Sequence, residues 1–228
     1  MGGEPRAAAF FDVDGTLVQG TVIQYYVWLV TRSLPWPARA LRIAALATQL
    51  PRYWWLDRRG RDHFLRAFYR NYAGYRQAEL AALQEALFQE VVRPRLHRQG
   101  EETVRAHGTA GRKVVILSAS LRFVLEPLAR HLGAEALICQ ELVARGGFIT
   151  GELDGPPLNG TERARRLREY AIHHGIDLSA SYAYGDSAGD IPMLAAVGRP
   201  VAVNPTAALR REAERRGWQI DRWQPRLR

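Results

Sequence analysis

The stretch FFDVDGTLVQG, Phe10 to Gly20, ends an apolar run with two carboxylates followed by Gly-Thr. Residues i and i+2 of a strand point to the same side, so Asp12 and Asp14 would project together where the strand ends. Two carboxylates held that close repel each other, an arrangement that persists where a cation binds or where one acid carries a proton. A plain Asp-Gly turn is the alternative interpretation.

Composition restricts the class of protein. The chain has 228 residues, 47% of them hydrophobic, which predicts a folded protein with one large domain or a core with an inserted lobe. The net charge of +9 predicts attraction to anions, including phosphates, nucleic acid and acidic lipid surfaces. A single cysteine, Cys139, fits a reducing compartment. No secretory signal pattern or membrane-spanning run is present, so we expect a cytoplasmic protein.

Apolar residues from Thr21 to Val92 recur at intervals of three and four, the spacing of amphipathic helices. Four helical stretches are predicted here: TVIQYYVWLVTR, PARALRIAALATQL, RDHFLRAFYRNYA and RQAELAALQEALFQEVV. Prolines, including Pro51, and Gly74 are interpreted as the separators between them. We therefore predict an all-helical cap domain over residues 19–92.

Strands and helices alternate after Pro94, which predicts a doubly wound, mostly parallel sheet, a Rossmann-like α/β fold. The predicted strands are KVVILS, ALICQ, SYAYGD and RPVAVNP, with a hairpin around Gly146-Gly147. The predicted helices include one that contains Pro127 and one with Thr161 as its N-cap. Residues 1–18 and 93–228 would form this core domain, with the cap inserted between them.

Polar residues follow four of the predicted strands. They are Asp12 with Asp14, Ser118, Asp186 and Asn204. In parallel α/β sheets the functional residues lie at the carboxyl ends of the strands, so these side chains should converge on one edge. This convergence favours a functional site over a plain turn at Asp12. For Asn204, support of the acidic cluster and an ordinary turn both remain open.

These strand endings resemble the motifs of the haloacid dehalogenase superfamily of phosphohydrolases. The segment DVDGT resembles its first motif, ILSAS its second and YGDSAGDIPML its fourth, in the family's order. The helical insert resembles the cap of the phosphoserine phosphatase-like branch. The resemblance implies that the chain is a phosphatase acting on a phosphate monoester.

The resemblance also implies roles for the acidic residues. Asp12 would attack phosphorus to form an aspartyl-phosphate, and Asp14 would act as general acid and then general base. Direct ligands of Mg²⁺ would be the side chains of Asp12 and Asp186 and the backbone carbonyl of Asp14. Asp190 would orient a metal-bound water or Asp186, unless it is an ordinary acid at a helix N-terminus.

Three further residues are predicted to bind the phosphoryl group. Ser118 offers a hydroxyl and Ala119 a backbone N–H, although Ser118 could equally cap the next helix. The family has a basic residue, normally lysine, at the start of the helix before the fourth motif. Arg163 occupies that position here, and arginine keeps the charge but has a bulkier, planar group.

The substrate is predicted from departures from the phosphoserine phosphatases. Those relatives usually have an acid nine residues after the nucleophile, where this chain has Thr21. Residues 31–76 contain ten arginines, and four of the six tryptophans lie in or next to this segment, at Trp28, Trp36, Trp54 and Trp55. This composition favours an acidic or amphiphilic phosphate monoester. The same segment makes an anionic membrane surface a candidate peripheral partner. The alternative is a solvated arginine face over a tryptophan-rich core.

Other functions remain open at this point. Phosphotransfer to an acceptor other than water and phosphoserine hydrolysis are the enzymatic alternatives. A catalytically weak phosphate-binding or scaffold protein is the alternative from another class, which the substitution at Arg163 permits. Nucleic acid is not expected as a partner, because the positive charge is spread over helices and no groove-reading motif is present.

Overall fold

A computed structural model describes residues 6–224 of the chain. Eight strands are present in these residues: β1 (Ala8–Phe11), β2 (Lys113–Leu121), β3 (Ala136–Gln140), β4 (Leu142–Arg145), β5 (Phe148–Leu153), β6 (Tyr182–Gly185), β7 (Arg199–Val203) and β8 (Gln219–Asp221). Six of them form one sheet in the order β3-β2-β1-β6-β7-β8, and every neighbouring pair in that sheet is parallel. The predicted α/β fold is confirmed, and β4 and β5 form the predicted hairpin.

The sheet is buried on both faces, which explains why β1 is a continuous apolar run. Its residues alternate between two cores. Ala9 and Phe11 belong to the core that includes the helices between β1 and β2, whereas Ala8 and Phe10 belong to the core on the opposite face. This central strand therefore holds Asp12 at a fixed position at the carboxyl end of the parallel strands.

Ten α-helices lie in the described part of the chain. They are α1 (Val22–Thr31), α2 (Trp36–Ala47), α3 (Leu50–Arg59), α4 (Arg61–Tyr69), α5 (Gln77–Leu87), α6 (Arg98–Thr109), α7 (Arg122–Leu132), α8 (Gly160–His174), α9 (Ile191–Leu194) and α10 (Ala207–Arg216). We refer to α1–α5, which lie between β1 and β2, as the insert. The domain boundaries at 18/19 and 92/93 stay a prediction. No helix of residues 6–224 is long and apolar enough to cross a membrane.

Helix α3 shows where the sequence prediction of the insert was incomplete, because no helix was predicted between Leu50 and Arg61. Pro51 does separate two helices, as predicted, and it lies in the first turn of α3, which begins at Leu50. A proline fits there because the first backbone N–H groups of a helix have no partner within the helix. Helix α8 likewise begins earlier than predicted, with Asn159 rather than Thr161 as its N-cap. Helix α7 does contain Pro127, as predicted.

The centre of the insert consists of tyrosines and phenylalanines. Tyr26 packs edge to face against Phe68 and Tyr72, with ring centroids 5.7 Å and 5.0 Å apart. Such aromatic pairs add stabilisation beyond the area they bury. Three of the tryptophans instead lie on the surface, at Trp36, Trp54 and Trp55. The interpretation of a tryptophan-rich core is therefore wrong.

His107 on α6 is a buried imidazole under the sheet. It is 5% exposed, and its Nε2 lies 2.8 Å from the hydroxyl of Tyr184. Burial, aided by the charge of Arg112, lowers the pKa of His107 to about 4. The folded state therefore favours the neutral ring, whereas the unfolded chain would bind a proton near pH 6.5.

We expect this burial to make stability depend on pH. Neutral His107 contributes at most about 3 kcal/mol to the free energy of unfolding. This contribution is complete above about pH 6.5 and is lost as the pH falls towards about 4. His107→Gln keeps a polar partner for Tyr184 but cannot titrate. Its free energy of unfolding, measured by urea denaturation from pH 7.5 to 4, should approach the wild-type value as the pH falls.

The exposed His173 provides the matched control. The unfolding free energy of His173→Gln should run parallel to that of the wild type over the same pH range. A constant difference between His107→Gln and the wild type at every pH would contradict the prediction.

Candidate active site

Three carboxylates meet at the carboxyl edge of the sheet. Asp12 follows β1 and its N–H donates to the carbonyl of Tyr184 on β6, at 3.0 Å. Asp186 follows β6, and each of Asp12, Asp186 and Asp190 offers a carboxylate oxygen within 4.8 Å of the other two. The parallel strands thus bring together acids that are more than 170 residues apart in sequence.

Gly15 allows this close approach. Its φ of 95° lies in the left-handed region, and a Cβ at this position would lie 2.4 Å from Asp186 Oδ2. The turn is closed by a hydrogen bond from the Gly15 N–H to the carbonyl of Val18, at 2.9 Å. The segment DVDGT therefore does form a turn, and this turn packs against the side chain of Asp186. A turn and a functional site are thus not exclusive interpretations of this segment.

Asp14 points to a different set of partners. The hydroxyl of Tyr25 on α1 donates to its Oδ1 at 2.7 Å, and that of Ser120 donates to its Oδ2 at 2.5 Å. Burial raises the pKa of Asp14, although these two hydrogen bonds oppose the shift. Sequence analysis missed Tyr25 and Ser120. Nothing in local spacing shows that α1 reaches Asp14, and Ser120 lies within the quoted motif ILSAS, where only Ser118 and Ala119 were given a role.

Ser118 and Ala119 lie near the end of β2, beside Asp14. Ser118 Oγ is 3.4 Å from Asp14 Oδ2 and accepts a hydrogen bond from the backbone N–H of Ser120 at 3.1 Å. The carbonyl of Ala119 accepts a hydrogen bond from the hydroxyl of Tyr69 on α4 at 2.7 Å. The N-cap of α7 is Leu121, so the interpretation of Ser118 as that cap is wrong.

Arg163 lies in the first turn of α8, buried against the acidic residues. Its Nη1 is 3.0 Å from Asp12 Oδ1 and also contacts Asp190 Oδ1. Burial disfavours its charge, but the carboxylates, Asp12 foremost, outweigh this and raise the pKa of Arg163. Among side-chain nitrogens and oxygens of residues 6–224, only Arg163 Nε is buried without a hydrogen-bond partner. This N–H is therefore a buried donor that no protein atom satisfies.

Asp190 holds the loop that carries Asp186. Its Oδ2 accepts hydrogen bonds from the backbone N–H of Asp186 at 3.1 Å and of Ser187 at 2.9 Å. The Ser187 hydroxyl donates to the same oxygen at 2.9 Å. Asp190 thus lies at the start of α9, as an N-terminal acid does, and also fixes the backbone beside Asp186. The two interpretations of this residue are compatible.

The electrostatics of the site fit a cation. Burial first, and then the charge of Asp190, hold the pKa of Asp12 well above its usual range. The same two causes raise the pKa of Asp186 to about 7. Carboxylate oxygens grouped within 4.8 Å, with one buried guanidinium to offset them, are a donor set suited to a hard divalent ion such as Mg²⁺.

Asn204 takes no part in this cluster. Its backbone φ is 42°. Its side chain donates to the carbonyl of Trp223 at 2.9 Å and accepts from the N–H of Trp223 at 3.0 Å. These bonds connect the segment after β8 to the loop after β7. Of the two interpretations of Asn204, the ordinary turn therefore agrees with the structure.

Comparison with known proteins assigns the family. The family model for haloacid dehalogenase-like hydrolases matches residues 9–195. The "Inhibition of morphological differentiation protein" of Streptomyces azureus is 36% identical over 95% of this chain and 78% of its own length. A phosphoserine phosphatase of Mycobacterium tuberculosis is 33% identical over 94% of this chain and 70% of its own. The chain belongs to the haloacid dehalogenase-like hydrolase family.

A solved structure has a similar fold. A protein of unknown function from Bordetella pertussis Tohama I is similar with a TM-score of 0.79 and 30% identity, over 95% of this chain and 98% of its own. The family resemblance inferred from DVDGT, ILSAS and YGDSAGDIPML is confirmed. The phosphatase-named relatives confirm the prediction of a phosphatase.

Proposed function

We propose that the protein is a Mg²⁺-dependent phosphatase that hydrolyses a phosphate monoester through an aspartyl-phosphate on Asp12. The observation that carries the proposal is the position of Asp12, which is grouped with the carboxylates of Asp186 and Asp190 and whose Oδ1 lies 3.0 Å from Nη1 of Arg163. A nucleophile, a cation-binding group and an anion-binding group are thus combined at one strand end.

Asp12, Asp186 and the backbone carbonyl of Asp14 would hold the metal ion, and Asp190 would fix the loop of Asp186. When bound, Mg²⁺ offsets the negative charge of the acids and of the phosphate. Each like-charge pair at 4 Å costs about 4 kcal/mol at an effective dielectric constant of 20. Arg163 would donate its unpartnered Nε to the phosphoryl group, with Ser118 and the N–H of Ala119 as further donors.

Hydrolysis would proceed in two displacements. A carboxylate oxygen of Asp12 attacks phosphorus, the ester P–O bond breaks, and the carboxyl group of Asp14 gives its proton to the leaving oxygen. Asp14 then takes a proton from water as that water attacks phosphorus, and the bond to Asp12 breaks to release inorganic phosphate. Tyr25 and Ser120 hold the Asp14 carboxylate in one orientation for both proton transfers.

This arrangement also bears on the alternatives. Asp14 has two hydroxyl donors and a pKa raised by burial, properties that suit a group which must carry and return a proton. They favour a catalytic role over a scaffold role, and phosphotransfer to an acceptor other than water remains an alternative. A cytoplasmic location and the lack of a nucleic-acid partner remain predictions.

The charges of the insert near the candidate site support a proposal for the class of substrate. Helix α1 contains no acidic residue, and Thr21 lies at its exposed N-cap. Arg61, at the start of α4, lowers the pKa of Asp14 through its charge. A leaving group with a negative charge and no ammonium group therefore suits the site better than serine does. Phosphoserine remains the alternative, because a relative bears that name.

The test compares matched phosphate monoesters. 3-Phosphoglycerate has a hydroxyl group where phosphoserine has an ammonium group, and lysophosphatidic acid represents an amphiphilic substrate. We expect kcat/KM for phosphoserine to fall below that for at least one of the other two, with phosphate release in Mg²⁺ and none in EDTA. Phosphoserine as the best substrate by tenfold, about 1.4 kcal/mol, would contradict the substrate class. Equal rates in Mg²⁺ and EDTA would contradict the metal requirement.

A further inference from the structure

Large apolar side chains are concentrated on one part of the insert. Of the nine exposed large hydrophobic residues in the described chain, seven lie between residues 34 and 55: Leu34, Trp36, Leu41, Ile43, Leu50, Trp54 and Trp55. Trp36 is 76% exposed and Trp54 60%, and none of the residues of α2 is buried. Exposed apolar residues scattered singly are ordinary, but a contiguous group marks an interaction surface.

Helices α2 and α3 are two segments of one bent helix. Thr48, between them, keeps a right-handed helical backbone with φ −63° and ψ −20°, and so does Gln49 with φ −85° and ψ −14°. Pro51 has no N–H to continue the hydrogen-bond ladder, which accounts for the break. Trp36 and Ile43 lie seven residues apart within α2 and therefore on one side of it, and Ile43 and Leu50 line the same groove.

The apolar side is continuous with a groove towards α1. Ile43 and Leu50 line this groove together with Ile23, Tyr26 and Phe68. Trp54 lies one turn beyond Leu50, on the same side of α3. We call the exposed side chains of residues 36–59 the α2–α3 surface.

The α2–α3 surface is also strongly basic. It contains five exposed arginines and one acid: Arg39, Arg42, Arg52, Arg58, Arg59 and Asp57. The guanidinium carbon of Arg58 lies 4.3 Å from the ring centre of Trp54, and that of Arg59 lies 3.8 Å from the ring centre of Trp55. Asp57 is bound to Arg61 at 3.1 Å, so the positive charge of the surface is not neutralised from within it.

This combination selects among partners for the surface. A second copy docking through the same surface would bring two sets of five arginines together, and such like charges oppose association. An anionic bilayer attracts the arginines, and its headgroup region suits tryptophan side chains, which have an apolar ring and a polar N–H. We propose that the α2–α3 surface docks on anionic lipid membranes, with α2 and α3 lying in the plane of the interface.

The docked orientation would bring the membrane close to the active site. Helix α3 ends at Arg59, next to Arg61, whose charge acts on Asp14. Asp62 follows Arg61 in the sequence, and its Oδ1 accepts a hydrogen bond at 3.4 Å from the side-chain amide of Asn159. Asn159 is the N-cap of α8, the helix that contains Arg163. Binding to lipid would therefore hold the catalytic edge near the headgroups. Membrane docking itself does not depend on the proposed phosphatase chemistry.

The experiment measures binding of the full chain to vesicles by co-sedimentation in 100 mM NaCl. The vesicles contain phosphatidylcholine alone or with 30% phosphatidylglycerol. We expect the partition coefficient to be at least tenfold higher on the phosphatidylglycerol vesicles. Arg58→Gln/Arg59→Gln should lower it about 25-fold, since each surface arginine contributes about fivefold. Trp36→Ser/Trp54→Ser should lower it at least tenfold.

Matched controls come from exposed residues outside the surface. Ile172→Ser removes an apolar side chain that is 78% exposed on α8, and Arg145→Gln/Arg211→Gln removes two exposed arginines. Both should bind vesicles as the wild type does, and circular dichroism checks that every variant is folded. Equal binding to both kinds of vesicle, or equal losses in the controls, would overturn the proposal. The proposal would also be overturned if the wild type does not bind vesicles but forms a dimer, and Trp36→Ser/Trp54→Ser makes that dimer monomeric.

Discussion

Asp12→Asn is expected to abolish turnover while the protein stays folded. The amide has nearly the shape of the carboxylate but cannot attack phosphorus, and loss of a catalytic nucleophile costs about four orders of magnitude in kcat or more. We also expect the variant to be at least as stable as the wild type in metal-free buffer. The raised pKa of Asp12 means that its charge is disfavoured in the folded state, and the neutral amide avoids that cost.

Phosphate release and thermal unfolding in EDTA measure the two effects. Asp154→Asn removes an exposed carboxylate and provides the control, with wild-type turnover expected. An Asp12→Asn variant that keeps a tenth of the wild-type rate would rule out covalent catalysis by Asp12. A large loss of stability would show that Asp12 contributes to the fold through Arg163.

Arg163→Ala is expected to lower kcat/KM by about two to three orders of magnitude, or about 3–4 kcal/mol. This is the typical cost of removing one positioned donor from a buried site. The variant also leaves Asp12 and Asp190 without their buried cation, so we expect a lower unfolding temperature in EDTA. Arg163→Lys keeps the charge and should recover part of both losses.

The neighbouring Arg166 is the matched control for this helix. It is exposed and bound to Glu162 at 3.1 Å, so Arg166→Ala should change kcat/KM by less than twofold. If Arg163→Ala and Arg166→Ala show equal steady-state kinetics, Arg163 does not bind the phosphoryl group. A loss of stability with unchanged kinetics would give Arg163 a purely structural role.

The sheet and its acidic edge could be predicted because they follow from local patterns. A buried parallel strand is a continuous apolar run, and the polar residue after it lies at a shared edge. This is how Asp12 and Asp186 could be assigned to one site. Arg163 required the family resemblance, since no local spacing relates a residue of α8 to β1.

The contact between Tyr25 and Asp14 could not be predicted, since it depends on how the insert packs against the sheet. Tyr25 has the helical spacing of a core residue, and its burial bears that out. Its hydroxyl nevertheless reaches a carboxylate eleven residues earlier. The exposed tryptophans were misjudged for a related reason. Apolar spacing identifies the packed side of a helix only when another element covers it, and none of the residues of α2 is buried.

Two tyrosine hydroxyls connect the insert to the loop after β1 and to strand β2. Tyr25 donates to the side chain of Asp14 and Tyr69 to the carbonyl of Ala119, both at 2.7 Å. The insert therefore cannot be exchanged as an independent module. A chimera carrying the insert of a relative would have to bring both hydroxyls to the same places, or Asp14 and the end of β2 would lose these hydrogen bonds. Substrate range in this lineage should accordingly change through single substitutions on the insert rather than through its replacement.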